Sequence, residues 1–281
     1  FLTSFVSINA TTYFISSSQG NDSNSGLSLQ NPIKTIFRLN TFNFYPGDSI
    51  LFKSQDTFHG MFWLKGSGNS THSIVIDTYG GIEKAIINGD GFQTCILLYN
   101  DDYISINNLE ISNQNSHLDS LGNVKLIPGF SGSSNTWGSG KNVRFGVKIV
   151  ASSRSLTGFS MNNLKIHDIY PSPVLSQNIH KGYGIKFETQ SDTLNSIFNI
   201  ISDVEIKNSD FSQTGHYGIW IKSIGLNNID SVKNTDFQIL DCNFENTGGS
   251  GFVPNKSKNI LVQNCSFNHS GSSLDSRMWK R

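Results

Sequence analysis

Ile260-Leu261-Val262-Gln263-Asn264-Cys265-Ser266-Phe267 changes face half-way along. Ile260 and Val262 are apolar on one parity, Cys265 and Phe267 on the other, and Asn264 stands at the change. Alternation of period two marks a strand, whose successive side chains point to opposite faces. A flat strand that switched parity would turn its polar set toward the core. A sharp bend avoids this, and Asn or Asp tolerates the left-handed backbone angles that a bend requires. The same slip is written in Phe237-Gln238-Ile239-Leu240-Asp241-Cys242-Asn243-Phe244 and in Ile104-Ser105-Ile106-Asn107-Asn108-Leu109-Glu110-Ile111.

Working outward, the Asn/Asp motif recurs as Asn108-Leu109-Glu110-Ile111, Asn163-Leu164-Lys165-Ile166, Asp203-Val204-Glu205-Ile206, Asp241-Cys242-Asn243-Phe244 and Asn264-Cys265-Ser266-Phe267. Its last interval, 23 residues, is about the length of one bare coil, and the longer intervals imply inserted loops. A second motif begins with glycine: Phe145-Gly146-Val147-Lys148-Ile149, Tyr183-Gly184-Ile185-Lys186-Phe187-Glu188, Tyr217-Gly218-Ile219-Trp220-Ile221-Lys222 and Ser250-Gly251-Phe252-Val253. These glycines are 38, 34 and 33 residues apart. Repeats of this length identify a repeat architecture, and the period of two excludes helical repeats. Strand, bend at Asn, strand, loop, Gly-led strand describes one coil. The expected fold is all-β: a single-stranded right-handed parallel β-helix with loop insertions.

Stacked coils lie about 4.8 Å apart, so equivalent inward residues form ladders, with Cys242 over Cys265 as one rung. End coils need caps. Ile33 to Leu39 reads as a helix-like cover for the first coil, and Lys84 to Gly91 as an early coil ending in a turn. No C-terminal cap is visible in Asp275-Ser276-Arg277-Met278-Trp279-Lys280-Arg281. Residues 1–10 read as the remnant of a secretory signal peptide and residues 11–281 as the N-terminal portion of the β-helix, with further coils expected beyond.

Lys+Arg and Asp+Glu both number 21, so the net charge is zero and no basic footprint for nucleic acid exists. The apolar runs are far shorter than a membrane span. Cys95, Cys242 and Cys265 form no disulfide or zinc pattern; the last two are expected as buried small hydrophobes. A secreted, periplasmic or cell-surface monomer is the expectation.

Tyr13 to Ile36, with its Gly20-Asn21-Asp22-Ser23-Asn24-Ser25-Gly26 loop, resembles the opening of bacterial pectate-lyase-like β-helix enzymes. So do Pro46-Gly47-Asp48-Ser49-Ile50-Leu51-Phe52, the run Ser73-Ile74-Val75-Ile76-Asp77-Thr78-Tyr79-Gly80 and Ile86-Ile87-Asn88-Gly89. The resemblance spans nearly the whole chain. It implies a secreted carbohydrate-active enzyme of the glycoside hydrolase or polysaccharide lyase kind, and is far more specific for scaffold than for reaction. Neither the Lys/Arg pair of the alginate-lyase and chondroitinase-B group nor the closely spaced Asp pairs of polygalacturonases is recognisable. The segment Gly271 to Trp279 is similar to part of poorly characterised β-helix hydrolases.

Aligned on glycine, the third-strand residues that point outward stack as Lys148, Lys186, Trp220, Val253 and as Val150, Glu188, Lys222, Asn255, with Arg144, Gly182, His216 and Gly249 two places before glycine. A solvated face would carry scattered Ser, Thr and Asn. This one concentrates a carboxylate, cations, an indole and an imidazole, which is what a saccharide groove uses: aromatic plates for sugar rings, cations for acidic groups, carboxyls for acid, base or nucleophilic work. Glu188, His216 and Asp275 are the catalytic candidates, and Lys148, Lys186, Trp220, Lys222 and Arg277 the substrate-binding ones. The bland alternatives are a surface ion pair for Glu188 with Lys222 or Lys186, packing beneath a loop for Trp220, a turn hydrogen bond for His216 and a salt bridge between Asp275 and Arg277. His167-Asp168 and His180-Lys181 read as loop or turn residues. The long stretch from Gln114 to Asn142 reads as the wall of a groove. No metal motif is present, and calcium held by scattered Asp residues stays open. Three readings compete: a glycoside hydrolase with paired carboxylates acting on polysaccharide, a polysaccharide lyase, and a non-catalytic glycan-binding β-helix.

Overall fold

The computed structural model describes residues 10–114, 143–171, 181–226, 229, 231–272 and 278. Among these, the strands assemble into three sheets of eight, seven and six strands, and every ladder between named strands is parallel. One turn of the chain visits all three. Ile201–Lys207 lies in the first sheet, Asp210–Thr214 in the second and Tyr217–Ile224 in the third, after which Asn234–Leu240 returns to the first beside Ile201–Lys207. This is the right-handed parallel β-helix that the repeat predicts.

The bends have the backbone that their residues allow. Asn108, Asn163, Asn208, Asp241 and Asn264 all have φ between 51° and 56°, in the left-handed region. Their side chains link neighbouring coils: Asn163 Nδ2 donates to Asn108 Oδ1 at 2.7 Å, and Asn264 Nδ2 to Asp241 Oδ1 at 3.0 Å. Asp203 is not a member of this row. The corner of its coil is Asn208-Ser209-Asp210-Phe211, and Asp203 (φ 54°) sits inside the first sheet, at a second left-handed row with Tyr103, Gly158, Asp236 and Asn259. Both rows include acids or amides at positive φ, which is why a motif alone confuses them.

The glycine column has a steric cause. A Cβ on Gly184 would stand 2.5 Å from Gly218 O and 2.8 Å from the Phe211 ring, and one on Gly218 would stand 2.5 Å from Gly251 O and 2.6 Å from the Phe244 ring. The rings behind them are Phe211, Phe244 and Phe267, stacked at 4.8 Å per rung with planes within 9°. Cys95 occupies the same column one coil before Gly146. It is buried, as is Cys242, whose N–H points at Cys265 Sγ at 3.4 Å.

The first coil is covered as expected, though the helix is one turn, Ile36–Leu39, capped by Thr35 and burying Ile36 and Leu39. At the other end, Phe267 is 45% exposed where Phe244 is fully buried, because no coil among the described residues stacks on it. Of the expected leader only Ala10 is described.

Candidate active site on the outer face of the third sheet

The third sheet runs through Phe62–Leu64, Thr94–Tyr99, Val143–Ala151, Lys181–Gln190, Tyr217–Ile224 and Phe252–Pro254. Its register aligns Trp63, Leu97, Lys148, Lys186, Trp220 and Val253 in one column pointing away from the core. Tyr99, Val150, Glu188 and Lys222 form the next column. The stacks read from the glycine alignment are therefore the stacks of the structure, and they extend two coils further toward the N-terminus than glycine could reveal.

The expected solvent-facing patch is, however, largely sealed. Glu188, Lys148 and Lys186 are only 5%, 5% and 7% exposed. Trp220 and Lys222 are half-buried. The ion pair of Glu188 is with Lys186, two residues back on its own strand, and not with Lys222 across the rung. Lys186 Nζ donates to Glu188 Oε2, and Gln190 Nε2 donates to Oε1 at 2.8 Å. The cations also lie over aromatic faces: Lys186 Nζ is 4.7 Å from the Trp220 ring, Lys222 Nζ 4.8 Å from the same ring, and Lys148 Nζ 5.2 Å from that of Phe145.

Burial alone would raise the carboxyl of Glu188. The ammoniums of Lys186 and Lys148 and the two hydrogen bonds outweigh it and hold Glu188 down at about 2. Burial lowers both lysines against the pull of Glu188, and Lys148 comes down to about 8. At neutral pH the cluster holds one carboxylate among cations, one of which is close to releasing its proton.

His216 belongs to a neighbouring aromatic group. Its Nδ1 is 3.2 Å from Tyr183 Oη, and its ring stacks on Tyr217 at 3.7 Å. Burial and then Lys181 lower it to about 4, so the imidazole is neutral at pH 7. Tyr183 in turn stacks on Trp220 at 4.8 Å. Thus His216 reaches Trp220 through Tyr183. Asp275, Arg277, His180 and the stretch 115–142 lie outside the described residues. His167 corrects another expectation: it sits in the strand Lys165–Ile169 of the second sheet, with Nδ1 2.7 Å from Asp168 and Nε2 2.8 Å from Glu110. Among the described residues no group of three or more His, Cys, Asp or Glu side chains is placed to hold a metal, and no helix is long and apolar enough to cross a membrane.

Sequence reasoning missed the N-terminal end of this face. An open cleft of about 480 Å³ is lined there by Trp63, Lys65, Gly66, Tyr99, Asp101 and the segment Asn43-Phe44-Tyr45. Burial raises the Asp101 carboxyl to about 6. The signal was present in Phe62-Trp63-Leu64, whose alternation sends Trp63 outward, but no glycine marks that strand.

No protein-family model matches the chain. A curated lacto-N-biosidase of Bifidobacterium longum is 27% identical over 191 residues, covering 57% of this chain and 12% of the relative. The crystal structure of a GH136 lacto-N-biosidase from Eubacterium ramulus superposes with a TM-score of 0.67 at 23% identity, over 86% of this chain and 42% of that one. An alginate lyase from Paenibacillus superposes with a TM-score of 0.53 at 18% identity, over 86% of this chain and 67% of that one. The two solved structures share the fold. The chain spans less than half of either lacto-N-biosidase.

Proposed function

We propose that this chain is part of a secreted glycoside hydrolase that holds a glycan along the outer face of the third sheet. The observation that carries the reading is the charge-locked Glu188: a buried, ionised carboxylate whose flanking lysine Lys186 lies against the indole of Trp220. The likeness to a lacto-N-biosidase supports the reaction class, and its name supplies the first substrates to assay, glycans bearing lacto-N-biose units.

The electrostatics favour one role. A carboxyl held near 2 does not donate protons at neutral pH, so Glu188 acts as an anion that stabilises the positive charge developing at the anomeric carbon. The acid that protonates the leaving oxygen is a second carboxyl, for which Asp275 is the candidate, and Arg277, two residues on in the sequence, is the candidate to bind substrate. Asp101 has the raised pKa of a general acid but not the position: its coil is two rungs, about 10 Å, from that of Glu188, beyond the ~5–9.5 Å of hydrolase pairs. Trp220 supplies the sugar-stacking plate, and Lys148, Lys186 and Lys222 the donors around it. His216, neutral and set against Tyr183, positions that plate.

A second reading is favoured by one observation. Lys148, lowered to about 8, has the poise of a general base for β-elimination on a uronic acid. The glycan panel separates the two: lacto-N-biose-bearing, other neutral, uronate and sulfated glycans are incubated with the protein and its Glu188→Gln variant. New reducing ends without ultraviolet absorbance, lost in the variant, support hydrolysis. An unsaturated product absorbing near 232 nm overturns it in favour of a lyase, and no product with any glycan leaves only a binding role.

A further inference from the structure

Lys186, Glu188 and Gln190 alternate along the strand Lys181–Gln190, so they share its outer face with about 7 Å between successive Cα atoms. Glu188 is therefore held from both sides along its own strand. Lys186 takes Oε2, and Gln190 Nε2 donates to Oε1 at 2.8 Å. The second contact continues into the preceding coil. Gln190 Oε1 accepts the Ser152 hydroxyl at 2.8 Å, and Ser152 stands one residue past the Ala151–Thr189 rung, level with Gln190. Asn199, only 4% exposed, ties the two coils together at the corner between the third and first sheets. Its Nδ2 donates to Ser152 O at 2.7 Å and to Gln190 O at 2.8 Å. Asn100 Oδ1 carries the tie one coil further by accepting the N–H groups of Ser152 and Ser153, at 2.8 and 2.9 Å.

The direction of the side-chain relay is forced. An ionised carboxylate accepts and cannot donate, so Gln190 must turn its NH2 group toward Glu188 and its carbonyl oxygen away. Ser152 has one hydroxyl proton, and the amide oxygen that faces it takes that proton. A flipped amide would set oxygen against carboxylate. Joining the coils at this corner does not require such a relay, because Asn199 and Asn100 do so through backbone groups alone. The Ser152 hydroxyl and the Gln190 amide lead instead to Glu188.

We propose that Gln190 is a positioning residue for Glu188, oriented in turn by the Ser152 hydroxyl, so that the corner between the third and first sheets sets the plane of the Glu188 carboxylate. The inference rests on the reading of Glu188 as the anion of the reaction and names the residues that aim it. Against the upward push of burial, the Gln190 hydrogen bond joins the ammoniums of Lys186 and Lys148 in keeping that carboxyl ionised. A carboxylate fixed between two donors needs no reorientation as positive charge develops before it.

Side-chain amide NMR and steady-state kinetics at pH 7 test this. The Gln190 amide, assigned by its absence from the spectrum of Gln190→Met, is expected to show one proton shifted downfield and exchanging slowly with water. Glu188→Gln reduces that shift. Ser152→Ala speeds the exchange, whereas Ser152→Thr, which keeps a hydroxyl, does not. On a glycan that the protein cleaves, Gln190→Met lowers kcat about tenfold and leaves KM within about threefold. Ser152→Ala lowers kcat severalfold, and Ser152→Thr recovers most of it. Thermal melts of each variant confirm that folding is retained. A Gln190 amide that exchanges like that of an exposed glutamine, or an unchanged kcat in a folded Gln190→Met or Ser152→Ala protein, overturns the proposal. Glu188→Gln keeps the two claims apart. If that variant still turns over glycan, or the wild-type protein turns over none, the catalytic reading fails and the relay stands or falls on the amide spectrum.

Discussion

Glu188 stays ionised in a buried place because two ammoniums and an amide surround it. Removing its charge by Glu188→Gln strands Lys148 and Lys186, and a broken buried pair costs about 3–5 kcal/mol at pH 7. The lysines can escape that cost by shedding protons, Lys148 first from about 8. The destabilisation therefore shrinks as pH rises toward ~9.5; urea midpoints of both proteins at the two pH values check this. Asp101 behaves in the opposite sense. Its folded value, about 6, lies above the 3.8 of a free aspartate, so the stability it contributes is complete below ~4 and lost as pH rises through 6. Asp101→Asn is expected to remove that decline and to stabilise the protein by on the order of 2 kcal/mol at pH 7, read from the same midpoints. Which residues titrate abnormally was not legible in the sequence: the alternation shows that Lys186 and Glu188 point outward, but their burial depends on everything packed over that face.

At the scale of the strand and its bend, legibility depended on how many residue types a position accepts. The corner between the first and second sheets accepts only what tolerates φ near 54°, and Asn108, Asn163, Asp241 and Asn264 announce it. The neighbouring left-handed row contains Tyr103 and Gly158 beside Asp203, so it has no common signature, and Asp203 was assigned to the wrong row. The glycine column was legible from Gly146 onward because a Cβ meets the next coil's carbonyl; it vanishes at Cys95. Gly218→Ala should accordingly cost roughly 1–3 kcal/mol, by forcing the Phe244 ring or the Gly251 carbonyl to move. By contrast, Asn163→Gly and Asn163→Ala both lose the hydrogen bond to Asn108, but only alanine keeps a Cβ at positive φ without the amide's tolerance of it, so the alanine costs about 1–2 kcal/mol and the glycine less. Thermal denaturation of the three variants distinguishes a packing column from a conformational one.

Across the whole molecule, the β-helix turns a local alternation into a continuous surface. Residues 34 to 55 apart in sequence, such as Lys186 and Trp220 or Gln93 and Lys148, become neighbours on one face. The sequence disclosed the central coils of that face and missed its N-terminal end, where Trp63, Tyr99 and Asp101 sit without a repeat mark. The account places a glycan on this face, over the coils of Trp220 and Glu188. The most direct test is a crystal structure of the chain soaked with an oligosaccharide it processes. A sugar ring against Trp220, on the outer face of the third sheet, is the predicted result; ordered sugar on the outer faces of the first or second sheet, with the third left bare, would contradict it.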